Sequence, residues 1–247
     1  MKARKATTKT HRRPTFARRP VAVLAQLIAA CAVLVQCAVA PTTAAPPPAP
    51  VTTPSTDSPP PPAGAAINPV TAEELGASWR PECPVEPGRL RRFGIDYTGF
   101  DGQTHRGELI VHEDLVQEVI AVFGHLHQLR YPIAKMRTVD HYPGADDELS
   151  MEDNNTSAFN CRGIPGSSKW SLHAYGRAID VNPLLNPFID GMGAFQPKNA
   201  AEYLDRSRSD AGMLQGGDPA VLAFTDRGWQ WGGYWRTPID YQHFEWP

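Results

Sequence analysis

Positive charge is scarce beyond the first nineteen residues. Eight of the 24 Lys and Arg stand there, at Lys2, Arg4, Lys5, Lys9, Arg12, Arg13, Arg18 and Arg19, with no acid among them. The rest of the 247-residue chain holds 16 against 26 Asp and Glu, a difference of −10. A surface of that sign repels phosphate backbones and anionic lipid, so nucleic acid and peripheral membrane binding are excluded as expectations, and a neutral or zwitterionic substrate suits it better. Cysteine is scarce as well: of four, Cys31 and Cys37 lie near the start, which leaves Cys83 and Cys161. That pair lacks the close Cys-x-x-Cys spacing of structural zinc sites. Two readings remain, one disulfide, as an exported domain invites, or two buried thiols. Large apolar side chains nearly vanish between Pro41 and Pro69, where eleven residues are proline. Such a stretch cannot bury a core and reads as a disordered, semi-rigid polyproline spacer.

The apolar run Val21–Ala40, behind the basic stretch, is interrupted only by Gln26 and Gln36. Its length suits either a cleavable export signal or a membrane anchor. Ala38-Val39-Ala40 has the small residues of a cleavage site, but Pro41 disfavours cutting there and moves the expected site to near Ala44. Arg12-Arg13 and Ile28-Ala29-Ala30-Cys31 carry weaker signals, of twin-arginine export and of lipidation. The expected organisation is therefore a signal peptide or anchor over 1–40, a linker over 41–69 and one domain over 70–247, placed outside the cytoplasm and monomeric.

Within 70–247 no internal repeat is visible. Gly107–Val111 reads as a strand, and Glu113–Leu129 as an amphipathic helix with Leu115, Val119, Val122, Phe123 and Leu126 at helical spacing, stopped by Pro132. Ile133–Val139, Thr156–Arg162, Arg177–Val181 and Tyr241–Trp246 read as strands, and Pro219–Arg227 as a helix. Residues 140–156, with Asp146, Asp147, Glu148, Glu152 and Asp153, read as a solvated acidic loop lacking the ordered ligand spacing of a calcium loop. This order predicts a small α+β domain, with a short antiparallel sheet and flanking helices around a cleft.

Three residues of metal-ligating type occur in two tight clusters: His173 with Asp180, and His243 three residues after Asp240. Two imidazoles and one carboxylate fill three tetrahedral positions and leave a fourth for water, the arrangement of catalytic rather than structural zinc. One Zn²⁺ is the expected cofactor. Gly176 allows His173 to sit on a turn while Asp180 projects from a strand that Asn182-Pro183 stops. At the chain end Phe244 and Trp246 alternate with His243 and Glu245, as in a half-buried strand. Asp240 cannot share the face of His243 in a regular strand, so it reaches the site only across a bend, which Pro238 marks. There it could serve as general base and then proton donor; Glu245, on the same strand face as His243, competes for that role.

The segment Ser171-Leu172-His173-Ala174-Tyr175-Gly176-Arg177-Ala178-Ile179-Asp180, followed by Asp240-Tyr241-Gln242-His243, closely resembles the zinc peptidases that group D-alanyl-D-alanine carboxypeptidases with L-alanyl-D-glutamate endopeptidases. The resemblance extends over roughly residues 80–247. It implies that His173, Asp180 and His243 bind zinc, that Asp240 is the base, and that the substrate is a peptidoglycan stem peptide. Aspartate rather than glutamate at position 240 leans toward the endopeptidase-like members. The family's oxyanion-stabilising arginine falls on Arg162, in the segment Ser157-Ala158-Phe159-Asn160-Cys161-Arg162, with Arg137 as the fallback. A bridge between Cys161 and Cys83 would pin that arginine. Ser171 is expected to orient a ligand or substrate, or else to stabilise a turn; Tyr175 and Ser157 are grouped with it as substrate-binding or supporting residues.

The remaining histidines, His105, His112, His125, His127 and His141, read as structural; at spacing two on a helix His125 and His127 point to different sides. Of Trp229, Trp231, Trp235 and Trp246, most should be core and one or two should line the cleft. Two functions remain open from the sequence: a hydrolase, or a non-catalytic wall-binding or signalling module that keeps the fold and metal. The presence of Asp240, which a binding module could lose, favours the hydrolase.

Overall fold

The computed structural model describes residues 66–165 and 167–247. The expected signal or anchor and most of the proline-rich linker lie outside the described residues. Asn68–Pro69 pairs antiparallel with Arg91–Arg92, so ordered pairing starts just ahead of the expected boundary at residue 70. No helix among the described residues is long and apolar enough to cross a membrane.

A long hairpin, Leu90–Thr98 against Thr104–His112, is the largest sheet element, paired in register from Leu90↔His112 to Thr98↔Thr104. Its second strand was expected from the sequence and its first was not. The period-two side-chain alternation sends Leu109 and Val111 to one face and Ile110 to the other, and both faces are covered. On the first face lies the helix Val116–Gln128, which buries Val116, Val119, Val122, Phe123 and Leu126. A 3₁₀ turn, Glu113–Leu115, leads into it and carries Glu113 and Asp114 at its positive end. The helix ends where Arg130 takes a left-handed φ of 54°, two residues before Pro132. On the second face Val70, Leu75, Val85 and Phe159 pack around Ile110, next to the Cys83–Cys161 disulfide, whose Cα atoms are 5.8 Å apart.

The helix Pro219–Thr225 and the strands Ala178–Asp180, Gln230–Trp231 and His243–Glu245 complete the main core. His243–Glu245 lies between the other two strands, antiparallel to both. Phe244 is fully buried and stacks on Phe224, with ring centroids 3.9 Å apart. Ile239–Asp240 belongs to a different small sheet, paired with Phe188–Ile189, which in turn pairs with Phe195–Gln196. The fold is thus a small α+β domain, with several small, mostly antiparallel sheets in place of one.

Residues 140–156 differ from the expected loop. They contain the helix Asp147–Glu152, capped by Asp146, whose carboxylate accepts from the Leu149 N–H at 3.1 Å. The acids there serve protein partners: Asp147 faces Arg162, Glu148 accepts from the Lys198 N–H, and Asp153 accepts from Lys135 and from the Tyr142 hydroxyl. The expected strand Thr156–Arg162 shrinks to Asn155–Thr156, parallel to Lys135–Met136, plus a bridge from Ser157 to Asp180.

Candidate metal centre

Register places two of the three expected ligands side by side. His243 is the direct cross-strand partner of Asp180 and Phe244 of Ile179, so the polar pair shares one face and the apolar pair the core face. The third, His173, rides on a short 3₁₀ turn, Leu172–Tyr175. Ser171 caps that turn, its hydroxyl accepting from the His173 N–H at 3.3 Å. Gly176 closes the turn at φ 66°, and its carbonyl accepts from the His112 N–H at 2.8 Å. A Cβ at Gly176 would meet the His112 nitrogen at 2.6 Å, so only glycine lets the turn dock against the hairpin.

The resulting cluster is buried and tight. His173 Nε2 lies 3.1 Å from His243 Nδ1 and 3.0 Å from Asp180 Oδ2; His243 Nδ1 lies 3.0 Å from Asp180 Oδ1. Each ring's other nitrogen has an acceptor: His173 Nδ1 donates to the Ala158 carbonyl at 2.5 Å, and His243 Nε2 donates to Glu245 Oε2 at 3.2 Å. With those protons so placed, two imidazole lone pairs and a carboxylate converge on one point, an arrangement that calls for a cation. The spacing fits zinc, since ligands held at about 2.0–2.1 Å in a tetrahedron stand about 3.3 Å apart. Among the described residues these three form the one cluster able to hold a metal.

Without a metal the charges compensate one another. Against the effect of burial, which raises it, His173 and His243 draw the Asp180 carboxyl far below the usual carboxylate range. Burial would depress His243, but Asp180 and Glu245 overcome it and push the ring up to about 10. A metal entering here displaces that proton.

Asp240 stands across the bend that the sequence requires. It pairs with Phe188, whereas His243 pairs with Asp180, and the chain changes sheet at Tyr241-Gln242. Gly232 makes room for it, since a Cβ there would lie 2.6 Å from the Asp240 carbonyl oxygen. Asp240 Oδ1 is buried with no hydrogen-bond partner. Burial is the main cause that lifts this carboxyl to about 7, with His243 and Arg162 opposing the rise and Asp180 and Asp147 adding to it. Glu245, the competing base, is engaged by His243 Nε2, on the opposite edge of the ring from the ligand cluster.

Arg162 reaches the site. Its Nη2 is 3.5 Å from Asp180 Oδ2, and its Nε is 3.0 Å from Asp147 Oδ2. The flanking carboxylates outweigh burial and raise its pKa, so the guanidinium stays charged. The disulfide anchors the preceding residue, and the Cys161 backbone is tied at both ends, its N–H to the Ser78 carbonyl and its carbonyl to Arg80 Nη1. Arg137 does not join the cluster; it lines a separate cleft with Tyr97 and Lys135. Ser157 supports Asp180 through two backbone hydrogen bonds, of 3.1 and 2.9 Å. Tyr175 is half-buried at the end of the turn, with no side-chain hydrogen bond to the cluster. Trp229 and Trp231 are core, and Trp235 stands 5.5 Å from the His243 ring as a wall of the site.

Sequence reasoning missed Asp147 and Gly232 as parts of this site. Asp147 was read as a member of an acidic loop. The close approach that requires Gly232 exists only once two distant strands meet.

Residues 165–246, which carry both ligand clusters and Asp240, match the family model described as D-alanyl-D-alanine carboxypeptidase. The match covers less than half of the chain and supports the resemblance drawn from the two motifs; Arg162 and Asp147 lie ahead of it. No curated protein and no solved structure matches the chain.

Proposed function

We propose that this chain is an extracytoplasmic, zinc-dependent peptidase that hydrolyses an amide of peptidoglycan stem peptides, of the D-alanyl-D-alanine carboxypeptidase or L-alanyl-D-glutamate endopeptidase type. The observation that carries the reading is the convergence of His173, Asp180 and His243 beside a buried carboxyl, Asp240, whose Oδ1 has no partner. A structural metal site has no use for an unsatisfied acid next to it, and leaving one buried costs stability. The family match and the disulfide support the peptidase class and the compartment.

His173, Asp180 and His243 would hold zinc, which would supply a Lewis acid and lower the pKa of a water toward neutrality. His173 is fixed for this by Ala158 and His243 by Glu245, so neither ring needs to turn. Asp240, whose carboxyl burial lifts above the usual carboxylate range, takes the proton that the attacking water gives up and returns it to the amine nitrogen as the C–N bond breaks. Arg162 presents its guanidinium to the carbonyl oxygen as negative charge develops there. Asp147 and Asp180 hold that guanidinium in place, and Trp235 shields one side of the site from water.

Digestion of purified peptidoglycan, with the new termini identified by mass spectrometry, tests the proposal. Free D-Ala identifies the carboxypeptidase type, and a new D-Glu amino terminus the endopeptidase type. Release of neither by the zinc-loaded protein overturns the hydrolase reading.

A further inference from the structure

A second cleft, of about 450 Å³, lies between the hairpin and the strand Lys135–Met136, and it contains none of the residues of the metal centre. Gly107 lets the two walls meet, since a Cβ there would stand 2.5 Å from Met136 Cβ. The lining includes Arg106, Lys135, Arg137, His105 and Tyr97, with Glu108 as its one acid. On a domain with so large an acidic excess, such a gathering of cations is out of character.

The acids around it are engaged. Glu108 faces Arg92 at 3.5 Å, Asp96 takes Arg106 at 2.8 Å, and Asp153 accepts from Lys135 and Tyr142. Arg137 makes no ion pair among the described residues, and its guanidinium is exposed. The Tyr97 side chain is buried apart from its place in the cleft wall, and its hydroxyl has no hydrogen-bond partner among the described residues. Burial raises the pKa of that hydroxyl and the Arg137 charge offsets part of the rise, and both residues line the same cleft. A free guanidinium and a free phenolic donor, with the Asp153-paired Lys135 ammonium alongside, suit one kind of ligand, an oxyanion such as carboxylate or phosphate.

We propose that this cleft binds an oxyanion of the cell-wall polymer, holding it through Arg137 and the Tyr97 hydroxyl with Lys135 and Arg106 at its rim. A wall polymer offers that chemistry from two sources, the free carboxylates of stem peptides and the phosphodiesters of anionic wall glycopolymers. Binding at a point separate from the metal centre would keep the enzyme on its polymer between cuts. The anion site itself stands on the cleft alone; its biological ligand rests on the peptidase reading.

Titration of the full chain with inorganic phosphate at low salt, followed through the backbone amides of Gly107, Met136 and Arg137, tests the site whether or not the protein hydrolyses anything. The expected result is a saturable shift of those amides, weakened about tenfold or more by Arg137→Met and by a smaller factor in Tyr97→Phe. Arg137 is exposed, so its replacement leaves the fold intact. Shifts confined to the metal centre, or equal affinity in the wild type and Arg137→Met, would overturn the proposal. Co-sedimentation with purified walls, before and after hydrofluoric acid removes phosphodiester polymers, then separates the sources. A loss of retention in Arg137→Met on untreated walls alone identifies phosphodiester; a loss on both identifies stem-peptide carboxylate; a loss on neither removes the wall polymer as the ligand.

Discussion

Replacing Gly176 by alanine tests whether a single backbone position aims His173. The residue sits at φ 66°, a left-handed conformation that costs an L-residue about 1–2 kcal/mol. The added Cβ would also stand 2.6 Å from the His112 nitrogen, 2.8 Å from Leu90 Cδ2 and 3.0 Å from the Val111 carbonyl carbon. Two of those three atoms are backbone and cannot rotate away, so overpacking adds about 1–3 kcal/mol. The expected loss is about 2–5 kcal/mol, with the turn pushed off the hairpin and its 2.8 Å hydrogen bond to His112 stretched. Gly193 provides the control: its φ is 87°, but nothing lies within 4 Å of a Cβ placed there, so alanine pays only the conformational part. Urea unfolding of the two variants measures the difference, and chelator competition should show weaker zinc binding in Gly176→Ala alone. If Gly176→Ala were no less stable than Gly193→Ala and bound zinc equally well, the docking of the turn would not position the ligand.

As the proposed base, Asp240 must be deprotonated to act, and its folded pKa is raised to about 7, so kcat/KM should fall as pH drops through about 7, or somewhat lower with a cation alongside. Asp240→Asn should lose about a hundredfold or more in kcat/KM while retaining zinc; unchanged hydrolysis, read with the metal content, would remove Asp240 from the mechanism. Glu245→Gln should weaken zinc binding by about 10–100-fold through loss of the carboxylate that orients His243, measured by chelator competition, and an unaltered affinity would show that the ring is held by its ligands alone. Because His243 is pushed up to about 10 without metal, zinc binding at pH 7.5 should release close to one proton, seen by calorimetry in buffers of different ionisation enthalpy. The disulfide closes a span of 78 residues, for which chain entropy predicts about 4.5 kcal/mol. The double variant Cys83→Ser/Cys161→Ser should lose most of that in urea unfolding, whereas a loss below about 1 kcal/mol would mean that the core around Ile110 holds that face without the bridge.

The candidate metal cluster was legible because its residues differ in kind from their surroundings and because one strand alternates visibly. His243, Phe244 and Glu245 read as polar, apolar, polar, and the structure sends them to the site, the core and the site. The bend at Asp240 was legible for a negative reason, since a regular strand would place residues 240 and 243 on opposite faces. Other parts left fainter traces. The hairpin strand Leu90–Thr98 has Phe93, Ile95 and Tyr97 at period two, but Arg91-Arg92 interrupts the pattern, and those arginines turn out to pair with Glu113, Glu108 and Asp140 across the surface. The helix Asp147–Glu152 is a turn and a half long, too short for hydrophobic periodicity to register. All four pairings in the two sheets around the site involve strands of two or three residues, where register is set by partners and not by local propensity.

That difference explains why residues aiding the ligands were harder to find than the ligands. His173 and Asp180 announce themselves by type, whereas Asp147 is one acid among five in a polar stretch until Arg162 and Asn160 reach it, at 3.0 and 3.3 Å. Glu245 shows the same limit from the other side. Strand alternation correctly put it on the face of His243, but only the coordinates distinguish the two edges of that imidazole. The edge with Nδ1 faces Asp180 and His173, and the edge with Nε2 faces Glu245. A carboxylate engaged at the far edge holds the ring there, whereas Asp240 Oδ1 is buried with no such partner, and this contrast is what favours Asp240 over Glu245 in the proposed mechanism.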